Sequence, residues 1–164
     1  MRDINLADYQ ASQSLQARYR LTDVRTTAGS YELLRFDQPE QKTASVDIEV
    51  DTQCGEAGEA FAVALAYNVI MFEGTTRPED DTDESVIAKC SVTLSGLYLP
   101  IESDDPEPLE MTDELVSAFA ASAAMLNLHP YAREYVASAT SRMGLPVLHL
   151  APLVLGSNEP IDLA

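Results

Sequence analysis

Basic residues are scarce in this sequence. Ten lysines and arginines stand against 27 aspartates and glutamates, for a net charge of −17. A chain so acidic repels phosphate backbones, which argues against nucleic-acid binding, and it suits partners with basic segments. Cysteine is nearly absent. Cys54 and Cys90 have neither CxxC spacing nor the count of a disulfide framework, so both are expected reduced, as small hydrophobes on strands. The histidines, His129 and His149, have no His or Cys at ligand spacing, and no metal site is expected. The acidic run Glu79, Asp80, Asp81, Asp83, Glu84 lacks the glycine and closing glutamate of a calcium loop and reads as solvated. Long apolar runs are missing too. Ala60–Phe72 is too short to span a membrane and contains Asn68, and Met1–Gln10 lacks the apolar run of a signal peptide, so the expected location is the cytoplasm. There is no G-x-S-x-G elbow, no Gly-rich phosphate loop, no Cys–His pair and no distinguished carboxylate pair. Neither enzymatic activity nor a cofactor is expected.

What is present is a succession of strands followed by helix. At 164 residues the chain suits one domain with a substantial core. Residues 1–12 read as a polar leader. Leu15, Ala17, Tyr19 and Leu21 alternate with polar residues as a first strand. Residues 26–42, with Gly29 and Pro39, have no period and read as a crossover. Val46, Ile48 and Val50 alternate with Asp47, Glu49 and Asp51 as a second strand. After a turn at Gly55 and Gly58 comes the most apolar strand, Ala60–Phe72. There size alternates: Phe61, Val63, Leu65, Tyr67, Val69 and Met71 share one face, and alanines the other. A strand apolar on both faces is expected to be covered on both. Val86, Ala88, Cys90, Val92 and Leu94 mark a fourth strand, broken at Gly96. Thr112 caps a helix with Asp113 and Glu114 in its first turn. Strands in succession, then helix, argue an α+β fold with a four-stranded antiparallel sheet in residues 13–100 and a long, Pro-broken helical region in 112–144. Residues 145–164 form an extended exit and a short tail. So small a helical layer over such a sheet leaves apolar surface for self-association or for a groove.

The stretch Leu128–Leu153 is the most distinctive. Pro130 suits the first turn of a helix, with His129 or Asn127 as its cap. Ala132, Val136, Ala139 and Met143 recur at helical spacing. Gly144 stops the helix, Pro146 prevents its resumption, and Val147–Leu153 is extended and apolar. Pro130-Tyr131-Ala132-Arg133-Glu134, then Ser141-Arg142, Gly144 and Pro146, then Leu148, Leu150, Ala151 and Pro152 resemble the signature helix and exit of the SecB protein-export chaperones.

That resemblance implies an ATP-independent holdase that binds unfolded or partly folded precursor chains, works as a homotetramer (a dimer of dimers), and hands clients to an export motor ATPase. By the match, Val46, Ile48, Val50 and Tyr131 contact the client. Ala132, Arg133 and Val136 are assigned to a helix-mediated interface between copies. Past the exit, only Val154–Ala164 follow where the family continues into a second long helix and a tail that meets the motor. Lys89 and Ser91 stand where the family often presents acidic residues to that motor. Client holding is therefore the firmer expectation, and motor binding the weaker. One alternative is a dedicated chaperone of an antitoxin, as in SecB-like proteins of toxin–antitoxin systems. The other is an oligomeric scaffold or small-ligand protein without holdase activity.

Overall fold

The structure is a computed structural model that describes residues 3–35, 44–57, 59–76, 78–80, 84–101 and 109–156, with the backbone alone at 3, 44, 46–50, 56, 57 and 155. Four long strands, β2 (Tyr19–Leu33), β3 (Ala44–Ala57), β4 (Ala60–Glu73) and β5 (Val86–Pro100), form one antiparallel sheet in the order β2-β5-β4-β3. Consecutive strands β2 and β3 therefore lie on opposite edges. Before the sheet come β1 (Asp3–Asn5), α1 (Leu6–Ala11) and α2 (Gln13–Arg18). After it come α3 (Asp113–Phe119), a π turn (Ala120–Ala124), α4 (Met125–Arg142) and β6 (Val154–Gly156).

The size alternation of β4 decides which face is filled. Phe61, Val63, Leu65, Tyr67 and Val69 are at most 2% exposed, and Val92 and Leu94 of β5 extend the same surface. Helix α4 turns Leu128, Ala132, Val136 and Ala139 onto it, and its small side chains let the axis lie close. Each aliphatic side chain so buried contributes about 1.5–3 kcal/mol. At one end, Phe61 stacks on Tyr98 at 5.1 Å and meets Phe119 edge-on at 5.3 Å, so α3 is pinned to β4 and β5. Burial pushes the Tyr98 phenol up to about 12, against a weak opposing hydrogen bond from Asn127. The alanine face is different. Ala60, Ala62, Ala64 and Ala66 stay half-exposed, whereas Ile70 and Phe72 further along are buried with Val86, so among the described residues the expectation that both faces are covered holds only at that end.

Several local expectations are corrected. Residues 1–12, read as a leader, hold β1 and α1, and Ile4 is 1% exposed because β1 pairs in parallel with β6 beside the core. Asn5 caps α1 by accepting from the Ala7 amide at 2.8 Å. Leu15 begins no strand; it sits in α2, fully buried against the aromatic cluster. Residues 26–33, read as crossover, continue β2. Register shifts at Leu21/Asp23 and Thr26/Ala28 had erased their alternation. The end of that crossover, residues 36–42, lies outside the described residues. β3 runs through Gly55, and β5 through Gly96, without a break.

The helix is not broken at Pro130 and does not start there. Pro130 lies inside α4, where it removes the bond to the Leu126 carbonyl. Met125, Leu128, His129 and Ala132 are buried around it, and that packing outweighs a cost of about 3 kcal/mol. The irregularity falls earlier, at the π turn, where Ser122 bonds the Ala118 carbonyl and meets Ser12 of the N-terminal segment at 3.2 Å. The cap at Thr112 is present, accepting from the Leu115 amide at 3.2 Å. Gly144, at φ +73°, closes the helix in the left-handed conformation expected.

His129 is no cap either. Its Nδ1 accepts from the Tyr67 hydroxyl at 2.7 Å, and its Nε2 donates to the Ala151 carbonyl at 2.8 Å. This relay ties sheet, helix and the extended exit together, and Leu148, Leu150 and Leu153 of that exit pack on the core. Burial lowers the His129 pKa; the Ala151 bond opposes this, and the Arg133 charge adds to it. A folded-state pKa below the unfolded value means that the unfolded chain takes up the proton first. The stabilisation is then complete above the ordinary histidine pKa of about 6.5 and is lost as pH falls through the lower folded value. His129→Gln should flatten the dependence of urea-unfolding free energy on pH between about 7 and 5 relative to the parent chain. An unchanged slope would remove His129 as its source.

Gly29 marks a close approach. An added Cβ would lie 2.3 Å from the Tyr135 hydroxyl oxygen and 2.7 Å from its Cζ, so the phenol rests directly on β2. Gly29→Ala should cost about 1–3 kcal/mol in denaturant unfolding, with most of the loss recovered when Tyr135→Leu shortens the opposing side chain.

Candidate functional site: two clefts on opposite sheet edges

Helix α4 lies over β5 and towards β2, so the layer is thin beside β3, where the described contact comes from the π turn. Among the described residues a concavity lies at each edge of the sheet.

The first runs beside β3. Cys54 and Gly55 of β3, Phe61 of β4, and Met111, Asp113, Val116 and Ser117 of the α3 start line a cavity of about 430 Å³. Its floor is apolar, its wall is α3, and Asp113 places a carboxylate at its mouth. The Cys54 sulfur lies 4.0 Å from the Val116 carbonyl oxygen, which fixes that side chain towards the helix. Partial burial raises the Cys54 pKa, and burial pushes Cys90 up to about 11, so both thiols are neutral at physiological pH. This pocket offers contact area, a thiol that is not activated, and an edge strand.

The second cleft, of about 310 Å³, lies between β2 and α4. Val24, Thr26 and Tyr31 form one wall, and Tyr131, Glu134, Tyr135, Ser138 and Arg142 form the other. Tyr31 and Tyr131 are 42% and 45% exposed, two large aromatic side chains brought to one place.

The residues singled out in the sequence divide between these edges. Val46, Ile48 and Val50 lie on β3 opposite Met71, Val69 and Tyr67 in the register, and their side chains lie outside the described residues. Tyr131 is in the β2 cleft, three strand spacings away, or about 14 Å across the sheet. Within one chain it does not join the other three. Ala132 and Val136, assigned to an interface between copies, are 0% exposed in the chain's own core, because that stripe of α4 is the one that meets the sheet. Arg133 is half-buried near His129. The outward stripe is Tyr131, Glu134, Ser138 and Arg142. Met111, Phe61, Cys54, Val116, Tyr31 and Tyr135 were not singled out. Met111 follows a proline-rich linker and Tyr31 lies in the supposed crossover, so neither belonged to a periodic segment. Among the described residues no group of His, Cys, Asp and Glu is arranged to hold a metal, and no helix is long and apolar enough to cross a membrane.

No family model matches the sequence. A SecB-like chaperone of Mycobacterium tuberculosis, Rv1957, is 29% identical over 148 residues, which is 83% of this chain and 78% of that protein; its counterpart in a second strain gives the same figures. The structure of Rv1957 in complex with a ChAD peptide from the HigA1 antitoxin superposes with a TM-score of 0.71 at 25% identity, over 90% of this chain and all of the other. The four-stranded antiparallel sheet followed by a long helix is as expected from the sequence, and the TM-score places the fold with this neighbour's. By sequence and by fold, the chain resembles the SecB-like chaperones.

Proposed function

We propose that this protein is a chaperone dedicated to one polypeptide partner of the antitoxin kind, which it holds in an extended, unfolded state without nucleotide. The observation that carries the reading is that a relative sharing the fold over 90% of this chain is bound to an antitoxin peptide. The cavity beside β3 supports it physically: it has room for a few apolar side chains and is open along an edge strand. A few such anchors, at about 1.5–3 kcal/mol each, give roughly micromolar affinity after ordering costs. Holding the unfolded partner then opposes its aggregation by mass action. Val46, Ile48 and Val50, on the same strand, are proposed as further client contacts.

Assembly belongs to the same reading. The Tyr31/Tyr131 cleft at the β2 edge is proposed as the contact between copies in a homotetramer, with Glu134 and Arg142 at its rim as opposite charges. The interface so assigned uses the outward stripe of α4 in place of Ala132 and Val136.

Three outcomes test this. The purified chain should protect a neighbour-encoded antitoxin from aggregation at equimolar ratio and leave unrelated denatured proteins unprotected; equal protection of all would make it a general holdase. Met111→Asp with Val116→Asp should weaken client binding by about 2–4 kcal/mol in a titration while the chain stays folded, since both side chains are half-exposed. Tyr31→Asp with Tyr131→Asp should lower the particle mass in light scattering, and an unchanged mass would take the β2 cleft out of the interface.

A further inference from the structure

A third cavity, of about 230 Å³, lies at one end of the sheet, where the N-terminal helices meet the aromatic cluster. Tyr9 of α1, Gln16 of α2 and Tyr19 at the start of β2 stand on the N-terminal side; Tyr98 of β5, Phe119 of α3 and Asn127 of α4 stand across from them. It shares no lining residue with the cavity beside β3 or with the Tyr31/Tyr131 cleft. The proposed function uses it for neither client nor assembly.

Its walls are aromatic, and two of its polar groups have hydrogen-bonding capacity to spare. Tyr98 is 1% exposed. Its hydroxyl accepts from the Asn127 amide at 3.5 Å, the outer limit of a hydrogen bond, and among the described residues its own proton has no acceptor. A buried donor left unused in this way is costly until something accepts from it. Burial also raises the phenol pKa, so it remains a donor throughout the physiological range. On the opposite wall, Gln16 Nε2 donates to the Tyr9 carbonyl at 3.0 Å and to the Ser12 hydroxyl at 2.8 Å. That anchoring leaves Gln16 Oε1 as an acceptor. Among the described residues no carboxylate, ammonium or guanidinium lines the space, so an ion entering it would lose hydration without compensation. A cavity of about 150 Å³ already admits benzene, and this one has room for a ring with a small substituent.

We propose that this cavity binds a small neutral molecule built of one aromatic ring, whose polar substituent accepts a hydrogen bond from Tyr98 and donates one to Gln16. The rings of Tyr9, Tyr19, Tyr98 and Phe119 supply the contact area, and the two hydrogen bonds supply the selection. Because the walls come from the N-terminal helices, the sheet and the later helices, an occupant ties these parts together and stabilises the folded chain by mass action.

The test uses the full chain with benzamide as the probe, since its carbonyl accepts and its amide donates. Benzamide should bind at about millimolar strength, shift the NMR signals of the Ala123 and Leu126 methyl groups that also line the cavity, and raise the unfolding temperature. Toluene should bind about tenfold more weakly, the difference made by a hydrogen bond in a buried site, and benzoate should not bind. Tyr98→Phe keeps the ring and its stacking, and should abolish the preference for benzamide over toluene. Asn127→Leu, at an exposed position, should obstruct the mouth and weaken both. No shift at millimolar benzamide, equal binding of benzamide and toluene by the parent chain, or shifts centred on Met111 and Val116 would each overturn the site. If Tyr98→Phe fails to fold, the comparison of the three probes on the parent chain decides alone. None of these readouts involves a client.

Discussion

A four-stranded sheet has two faces and two edges, and this chain has enough apolar mass to close one face. Tyr67, Val69, Val92 and Leu94 fill it, and α4 meets them with Leu128, Ala132, Val136 and Ala139. The small residues of that stripe draw the helix close to β5 and β2. What is left over β4 is closed by other means: Ile4 from β1, and Leu148, Leu150 and Leu153 from the exit, with the exit hydrogen-bonded to His129. Among the described residues the π turn and α3 reach β3, and the cavity lies beside it.

Along Ala60–Ala66 the other face stays half-exposed among the described residues, and what it is made of suits that position. Ala64, Ala66 and Asn68 on β4 stand beside Ser95, Thr93 and Ser91 on β5, with Ala62 beside Leu97, and Ser30 bonds Ser91 at 2.8 Å. Side chains this short present little apolar area, and the hydroxyls keep the surface wet. The half-exposed alanines are thus compatible with water in a way that a row of leucines would not be. Large exposed hydrophobic side chains are concentrated at the margins instead, with Tyr31 and Tyr131 together at the β2 edge.

Much of this was legible in the sequence, and the rest was hidden for identifiable reasons. β3, β4 and β5 were readable because their period of two is regular and one face is buried. β2 was cut short because its bulges shift the register, so the alternation that marks a strand disappears while the strand continues. The helix was divided at Pro130 because local propensity disfavours proline there. Only the tertiary burial of Leu128, His129 and Ala132 reverses that preference, and burial is not visible in a single helix. Ala132 and Val136 were recognised as apolar at helical spacing, which is right, but spacing cannot say whether the stripe meets the chain's own sheet or a second copy. The cavity beside β3 joins Cys54 to Met111, residues far apart in sequence with no shared pattern. The resemblance to the SecB-like chaperones was legible because its signature is local, in Pro130–Pro152.

The modest size of that cavity fits a chaperone that works without nucleotide. Such a protein has no external source of energy for release, so the partner must leave because its own folded or assembled state is lower in free energy. A small domain is stabilised by about 5–15 kcal/mol. A micromolar complex is worth about 8 kcal/mol at the standard state, and far less at cellular concentrations. On the proposed function, a few apolar contacts along one edge strand would hold an unfolded segment firmly enough to keep it from aggregating and loosely enough to surrender it. A deep, fully enclosed apolar groove would trap the partner, and the thin helical layer over β3 avoids building one.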